Sequence, residues 1–393
     1  MIFLDMWIYI LLFVIALVYY AASNEENERN KLPLAIYLGG LALFVGCADM
    51  LGGYDRYIYG QVFDQLAMIT QTGGDHLRSA GYRLYASEWG FLWFNQLMGY
   101  ITLNRYVFIF TFTCIIYTLL FVSIKRYCRN YPFAVIVFLG LWFFFTFTYL
   151  RQVMAATIGW LAIQYAIDRK PIPYFLIVFI AFTFHNSAIV LAPFYFVPVQ
   201  KFKPSYVVFF FAACLVVGMT NILGHIVGAS DVLMDELRVE DQVTAIDEGS
   251  FRWAYFVEAL LFAALIFWKY DAFNERNRKE IVFLNMALLF CAMLFLFVRS
   301  ENGGRVSWMF MIGIIASVTH IATHPVHRNN ALTGALVVLF FVLFFRILTL
   351  WGNNGYQILY PYKSIFTNGV REVDRTHSEY EYDRQYDVNK FYK

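Results

Sequence analysis

The run YPFAVIVFLGLWFFFTFTY, residues 131–149, contains no charged side chain over a length that can cross a bilayer. A second run, ALTGALVVLFFVLFFRILTL at residues 331–350, carries Arg346 as its only charge. A strand of a membrane barrel would instead alternate polar and apolar side chains over about ten residues. Because a chain in lipid must satisfy its own backbone hydrogen bonds, these runs predict an all-α, polytopic transmembrane helix bundle.

The composition excludes a soluble protein and gives no support to a nucleic-acid partner. Hydrophobic residues make up 60% of the chain and charged residues 15%, whereas soluble domains carry roughly 25% charged residues. The net charge is +2, and the basic residues sit mostly in short loops without a continuous patch. The five cysteines show neither metal-ligand nor redox spacing. They are Cys47, Cys114, Cys128, Cys214 and Cys291.

The apolar runs between polar breaks predict about 12–13 membrane spans. Two regions do not fit ordinary spans of about twenty residues. Region 88–103 is short for one span, and region 172–199 is too short for two. The first could span the membrane, re-enter it or lie at its interface. The second has lysines on both flanks, so we expect it to enter and return as two short helices or a re-entrant hairpin, with His185 near the turn. The other predicted spans are 2–22, 33–50, 105–124, 131–149, 151–168, 204–229, 251–270, 281–299, 305–323 and 330–350.

The lysines and arginines of alternate loops predict the orientation, because cytoplasmic loops carry an excess of these residues. The outer loops are then 51–87, provided that 88–103 does not cross, and the acidic loop 230–250. Residues 1–365 form one transmembrane domain in this interpretation. Residues 366–393 form a polar, mobile tail.

An ionisable side chain at membrane depth is expensive, so it is a functional candidate. Arg151, followed by Gln152, lies between two apolar runs with almost no loop, and its guanidinium could hold phosphate. Arg299 and Arg305 bracket a glycine-containing loop and could approach one anion together. Each of these arginines could instead anchor a span by reaching to lipid headgroups.

Three further residues could act on a sugar. His185, in the middle of a short apolar hairpin, could exchange hydrogen bonds with a hydroxyl or a phosphate, or be a satisfied structural residue. Asp55 and Glu88 lie among aromatic residues of the first outer loop. Carboxylates hold sugar hydroxyls and one can act as a general base, although interfacial loops are commonly aromatic as well.

Six short motifs occur in order along residues 50–365. They are Tyr54-Asp55 with Tyr57, Glu88-x-Gly90-Phe91, Arg151-Gln152, Phe184-His185-x-Ser187, Arg305 ahead of an aromatic span, and Tyr360-Pro361-Tyr362-Lys363. In these motifs the sequence resembles the EpsG family of exopolysaccharide proteins, which belongs with the Wzy-type O-antigen and capsule polymerases.

The resemblance implies a GT-C-like bundle in the bacterial plasma (inner) membrane, with the active site facing the periplasm or exterior. Its substrates would be undecaprenyl-diphosphate-linked oligosaccharide repeat units, joined with release of undecaprenyl diphosphate. No metal or other cofactor is required. A chain-length regulator is a further candidate partner, beside the lipid bilayer.

The residue chemistry suggests how the roles divide in such a reaction. Arg151, Arg299 and Arg305 are assigned to diphosphate binding, because charge develops on the leaving group. His185, Glu88 and Asp55 are the candidate catalytic residues, in no firm order between the two carboxylates. The candidate substrate-binding residues are Gln152, Tyr54, Tyr57 and Ser187.

Other functions remain open at the level of the sequence. A transporter or flippase for lipid-linked sugars would need polar residues along a path through the whole bilayer. A membrane O-acyltransferase would use a similar histidine and arginines but would need an acyl donor. A ligase that joins glycan to a lipid acceptor shares the donor chemistry. Since no Walker-type glycine loop is present, any sugar donor should be lipid-borne.

Overall fold

The structure is a computed structural model that describes residues 2–50, 53–220, 222, 249–300, 303–324, 329–353, 359, 362 and 364–366. Within these ranges the regular elements are helices, together with one isolated β-bridge. The predicted all-α fold is therefore confirmed. Most of the predicted outer loop 230–250 and nearly all of the tail 366–393 lie outside the described residues.

The α-helices are numbered along the chain. They are α1 (Ile2–Ala21), α2 (Lys31–Gly46), α3 (Tyr54–Thr72), α4 (Ala80–Leu84), α5 (Trp89–Ile101), α6 (Arg105–Tyr127), α7 (Tyr131–Leu141), α8 (Phe145–Thr148), α9 (Leu150–Ile167), α10 (Pro171–Phe184), α11 (Pro204–Met219), α12 (Trp253–Trp268), α13 (Arg278–Leu296), α14 (Met311–Thr323) and α15 (Asn330–Asn353). Short 3₁₀ segments include Asn186–Leu191, Pro193–Phe196 and Gly303–Phe310.

Among the described residues, 4 helical stretches are long and apolar enough to cross a membrane. They are Arg105–Tyr127, Arg278–Leu296, Gly303–Thr323 and Asn330–Trp351. Further apolar helices of 10–17 residues, such as α2, α10 and α12, accompany them. The chain is a polytopic membrane helix bundle.

The run 131–149 differs from the continuous span that its composition suggests. α7 ends at Leu141, and the chain turns before α8 begins at Phe145. The Phe143 carbonyl at the break accepts from both the N–H of Thr146 at 3.0 Å and its hydroxyl at 2.6 Å. The aromatic residues around the break are buried, so packing rather than local propensity decides where the helix stops.

The chain divides into two compact units. The first unit comprises Met1–Tyr85, Gly90–Val153 and Asn329–Lys393. The second comprises Ala86–Trp89 and Met154–Arg328.

In the first unit, the loop between α1 and α2 packs on the loop between α6 and α7. Asn130 donates from Nδ2 to Glu28 at 2.9 Å, and the Tyr131 N–H donates to the Glu28 carbonyl at 3.0 Å. Gly46, at the other end of α2, lies against Phe110 near the start of α6. α2 and α6 therefore run antiparallel, and the α1–α2 and α6–α7 loops share one end of the unit.

α5 covers the region 88–103 and remains beside the first two turns of α6. Phe94 packs on Phe112 with ring centroids 5.2 Å apart, and Phe91 packs on the same ring at 6.1 Å. The 13 residues of α5 are about 20 Å long, which is short of the roughly 30 Å hydrocarbon core. α5 is therefore shorter than the hydrocarbon core, and the chain from Gly46 to Arg105 begins and finishes at the same end of the unit.

The described residues near the C-terminus return to that same end. Ser364 forms an antiparallel bridge with Ala48, just after α2. The Tyr362 ring stacks on Phe44 with ring centroids 4.1 Å apart and planes 10° apart. The start of the tail thus packs on the helix bundle.

In the second unit, the region 172–199 forms a hairpin. α10 runs out to His185, and the two 3₁₀ segments return to Val197. The 14 residues of α10 and the return path are each about 20 Å long, since a 3₁₀ helix rises about 2 Å per residue. Arg169 marks the base of the hairpin because it donates to the carbonyls of Tyr195 and Val197. The hairpin expected from the flanking lysines is present.

Arg169 itself adopts a left-handed backbone conformation, with φ of 57°. Its N–H donates to the Ala166 carbonyl and the Lys170 N–H donates to the Tyr165 carbonyl, so α9 ends in a Schellman motif. Glycine usually occupies this position, and the two side-chain bonds of Arg169 help to offset the strain of an arginine there.

The arrangement of the first unit predicts which positions share a membrane face. In a cysteine-free background, Leu103→Cys and Phe366→Cys should react with a membrane-impermeant maleimide added to one side, because both lie at the α2 C-terminal end. Asn27→Cys should react only from the opposite side. Labelling of intact cells, compared with labelling of opened membranes, measures the difference. Equal labelling of Asn27→Cys and Phe366→Cys in intact cells would contradict the arrangement.

Candidate functional site

In the first unit, three aromatic rings surround Arg151, which lies in the first turn of α9. The guanidinium carbon is 4.1 Å from the centroid of the Tyr85 ring, 5.2 Å from that of Tyr59 and 5.7 Å from that of Phe91. The rings also pack on one another, with Tyr85 and Phe91 5.4 Å apart. Cation–π attraction of this kind is worth about 0.5–2 kcal/mol for each favourable contact. The planar group of Arg151 is therefore held in a fixed orientation.

α3 contributes a carboxylate to the surroundings of Arg151. Asp55 and Tyr59 are four residues apart, so they share one face of the helix. The Tyr59 hydroxyl donates to Asp55 Oδ2 at 3.2 Å. Burial raises the pKa of Tyr59, which keeps this donor neutral at ordinary pH even though nearby Arg151 acts in the opposite direction. Asp55 is half-buried.

The first turn of α3 is docked on the turn that precedes α9. The Asp55 N–H donates to Thr148 Oγ1 at 3.0 Å. Gly53 comes so close that a Cβ there would lie 2.5 Å from the Phe147 carbonyl oxygen. The glycine permits this approach, and the approach brings the carboxylate-bearing turn of α3 next to the start of α9.

Two other residues of the Tyr54–Tyr57 motif have different surroundings. Tyr57 is buried and packs on the Arg105 guanidinium, whose carbon lies 5.8 Å from the ring centroid. Arg105 forms an ion pair with Asp64. Tyr54 begins α3, but its side chain lies outside the described part of the chain. Gln152 follows Arg151 and is buried.

In the second unit, His185 caps the start of a 3₁₀ segment. Its Nδ1 accepts a hydrogen bond from the Ser187 N–H at 3.2 Å and lies 2.8 Å from Ser187 Oγ. A backbone N–H can only donate, so Nδ1 must be the unprotonated nitrogen of the neutral ring. The proton of neutral His185 is therefore on Nε2. That nitrogen can donate a hydrogen bond, and it has no lone pair with which to act as a base.

The same capping turn holds Glu88. The Asn186 N–H donates to Glu88 Oε1 at 3.4 Å, and Asn186 Nδ2 donates to Ser87 Oγ at 3.0 Å. Glu88 is 1% exposed. Of the predicted catalytic residues, the structure thus brings Glu88 together with the His185–Ser187 turn in one unit, and Asp55 together with Arg151 in the other.

The EpsG family model matches residues 53–364, which is most of the chain and contains all of the residues just described. The chain belongs to the EpsG family. This is the family of Wzy-type polysaccharide polymerases. No curated protein and no solved structure gives a match.

The two other arginines that the sequence assigned to diphosphate binding in this EpsG-family protein, Arg299 and Arg305, lie in the second unit. Arg299 donates from Nε to the Gly249 carbonyl at 3.1 Å and from Nη1 to the Met219 carbonyl at 3.3 Å. These bonds join the end of α13 to the end of α11 and to the segment before α12. Arg305 is half-buried in the 3₁₀ segment Gly303–Phe310. Within the described residues, no group of three or more His, Cys, Asp or Glu could hold a metal ion.

Several residues of the site were not among the sequence candidates. Tyr59 and Tyr85 contact Arg151, and Asn186 contacts Ser87 and Glu88. The spacing of Tyr59 from Asp55 was a usable signal, because residues four apart share a helix face. Nothing in the sequence pairs Tyr85 with Arg151, since the two residues are 66 positions apart in the chain.

The aromatic surroundings of Arg151 predict a specific pattern of stabilities. Tyr85→Phe should keep the cation–π contribution to the free energy of unfolding, because the ring remains under the guanidinium. Tyr85→Leu should lower the free energy of unfolding by about 1–2 kcal/mol more than Tyr85→Phe does. Thermal unfolding in detergent measures both. The difference should largely disappear in an Arg151→Gln background, and its persistence there would show that the Tyr85 ring acts independently of Arg151.

Proposed function

We propose that this EpsG-family protein is a glycosyltransferase that joins undecaprenyl-diphosphate-linked oligosaccharide repeat units at the outer face of the bacterial plasma membrane. The supporting observation is Arg151, a cation oriented by three aromatic rings beside the half-buried carboxylate of Asp55. An arginine held in this way is suited to bind a diphosphate, because two of its N–H groups can donate hydrogen bonds to the phosphate oxygens together.

The reaction needs a charged leaving group to be stabilised. A hydroxyl oxygen of one lipid-linked repeat attacks the anomeric carbon of the glycan carried by another lipid diphosphate. The bond from that carbon to the diphosphate oxygen breaks, and undecaprenyl diphosphate leaves with the electron pair. A preorganised guanidinium lowers the barrier because negative charge grows on the diphosphate as the bond breaks. Arg151 takes this role, with Arg305 as a second candidate.

The proton of the attacking hydroxyl needs an acceptor. The tautomer of His185 disfavours His185 as that base, because Nδ1 is engaged with Ser187 and Nε2 carries the proton. Asp55 is the better exposed of the two candidate carboxylates, since Glu88 is almost fully buried. We therefore assign the base to Asp55, and to His185 the donation of a hydrogen bond from Nε2 to a hydroxyl or phosphate oxygen.

The remaining sequence candidates take supporting roles. Glu88 fixes the turn of His185 by accepting from the Asn186 N–H. Ser187 holds the imidazole. Arg299 links elements of the second unit through backbone carbonyls, so its assignment to the diphosphate has less support than that of Arg151.

Purified protein should convert a lipid-diphosphate-linked repeat unit into a ladder of longer glycans on a gel. Arg151→Ala should abolish the ladder, and Arg151→Lys should reduce the rate by about 100-fold, since lysine offers a single point charge in place of the planar fork. Tyr37→Phe is a suitable control because it removes a tyrosine hydrogen bond on α2. Absence of a ladder from folded wild-type protein on its cognate substrate would contradict the proposal and favour transport of lipid-linked sugars.

The donor role of His185 predicts different results for two amide substitutions. The side-chain amide of His185→Gln can place an N–H near the position of Nε2, whereas His185→Asn reaches only the position of Nδ1. His185→Gln should therefore retain at least about tenfold more activity than His185→Asn or His185→Ala. Initial rates of lipid diphosphate release measure the difference. If His185 were the base, Gln and Ala variants would be equally inactive.

A further inference from the structure

The C-terminal end of α2 has an unusual set of hydrogen-bond donors. The last carbonyls of a helix lack partners within the helix, and leaving them unsatisfied is costly at membrane depth. The Cys47 N–H donates to the carbonyls of Leu43 and Val45. Other carbonyls at this end accept from side chains and backbone outside the helix.

Two of these distant donors belong to the described C-terminal residues. The Tyr362 hydroxyl donates to the Phe44 carbonyl at 2.7 Å, and the Ile365 N–H donates to the Cys47 carbonyl at 2.9 Å. Tyr9 of α1 donates to the carbonyl of Leu359, which is 1% exposed. Leu359, Tyr362 and residues 364–366, packed on α1 and α2, are termed the clasp.

The remaining donor is Arg56. Its Nη2 donates to the carbonyls of Gly46 at 3.0 Å and Ala48 at 2.8 Å. The side chain is fully buried, and its Nε and Nη1 have no partner among the described residues. Burial lowers the pKa of Arg56 to about 10, with nearby Asp49 acting in the opposite direction, so the group stays charged at neutral pH. A buried charge of this kind fixes the position of the helix that carries it.

That helix is α3, which also carries Asp55. Successive residues of a helix point about 100° apart, so Arg56 faces α2 while Asp55 and Tyr59 face Arg151. The first turn of α3 is therefore fixed from two sides. Arg56 attaches it to the end of α2, and the Asp55 N–H attaches it to Thr148.

We propose that Arg56 and Tyr362 are positioning residues for the Arg151 site: the clasp orders the end of α2, and that end holds α3 through Arg56. The predicted effect of these two residues on turnover rests on the proposed function. Both residues lie within the family match at 53–364, whereas most of the tail lies beyond it. Neither side chain needs to contact substrate.

The test is a double-mutant cycle with a matched control. Arg56→Lys and Tyr362→Phe are each combined with Arg151→Lys, and turnover is measured at saturating and limiting substrate. Each single variant should lower kcat by about tenfold, the scale expected for losing one hydrogen bond to a charged or buried group. In the Arg151→Lys background each should cause little further loss. Tyr37→Phe, which removes the hydrogen bond to Leu12, should leave kcat unchanged in both backgrounds.

Equal losses from Arg56→Lys in the wild-type and Arg151→Lys backgrounds would overturn the proposal, because independent sites give additive effects. A measurement that does not depend on enzymatic activity distinguishes failure of the positioning proposal from failure of the proposed function. Facing residues of an antiparallel bridge suit a disulfide, so Ala48→Cys with Ser364→Cys should cross-link in the cysteine-free background. The cross-linking yield should fall several-fold with Arg56→Lys. No cross-link at all would rule out the clasp even if the wild type makes glycan.

Discussion

Unpaired backbone groups are costly in a membrane, and this constraint governs the helix ends of the structure. Several helices here are shorter than the bilayer, so their ends need hydrogen-bond partners from elsewhere in the chain. The residues that supply those partners include the candidate functional residues. His185 accepts from the N–H of Ser187, Glu88 from that of Asn186, and Thr148 from that of Asp55. Some of the contacts that cap helix ends therefore also position candidate site residues.

This coupling has a chemical consequence for His185. The hydrogen bond that caps the 3₁₀ segment also selects the tautomer of the imidazole, because a backbone N–H can only donate. The sequence allows His185 either to donate or to accept a hydrogen bond, whereas this tautomer leaves Nε2 as a donor. In the proposed reaction the role of base passes to a carboxylate, and Asp55 is the more exposed of the two candidates.

Arginines illustrate how one residue type serves different purposes in this fold. Arg151 is surrounded by aromatic rings, whereas Arg56, Arg169 and Arg299 donate to backbone carbonyls. A guanidinium with five donors can join the ends of two elements where no helix hydrogen bond is available. In the first arrangement the aromatic rings orient the cation. The charge of an arginine and its depth in the membrane do not by themselves distinguish a ring-bound arginine from one that caps backbone carbonyls.

The sequence by itself determined the fold class, the hairpin around His185 and the family, because long apolar runs, flanking lysines and ordered short motifs are local properties of the chain. It also identified Arg151, His185, Asp55 and Glu88 as candidates, since ionisable side chains stand out against apolar surroundings. Only the tertiary structure decided that 88–103 forms a short helix beside α6, that 131–149 breaks, that Tyr59 and Tyr85 enclose Arg151, and that Arg56 is a cap. The physical reason is that these outcomes depend on which distant side chain satisfies a given backbone group or ring face. That choice is made by packing, and it leaves no periodic signal in the sequence.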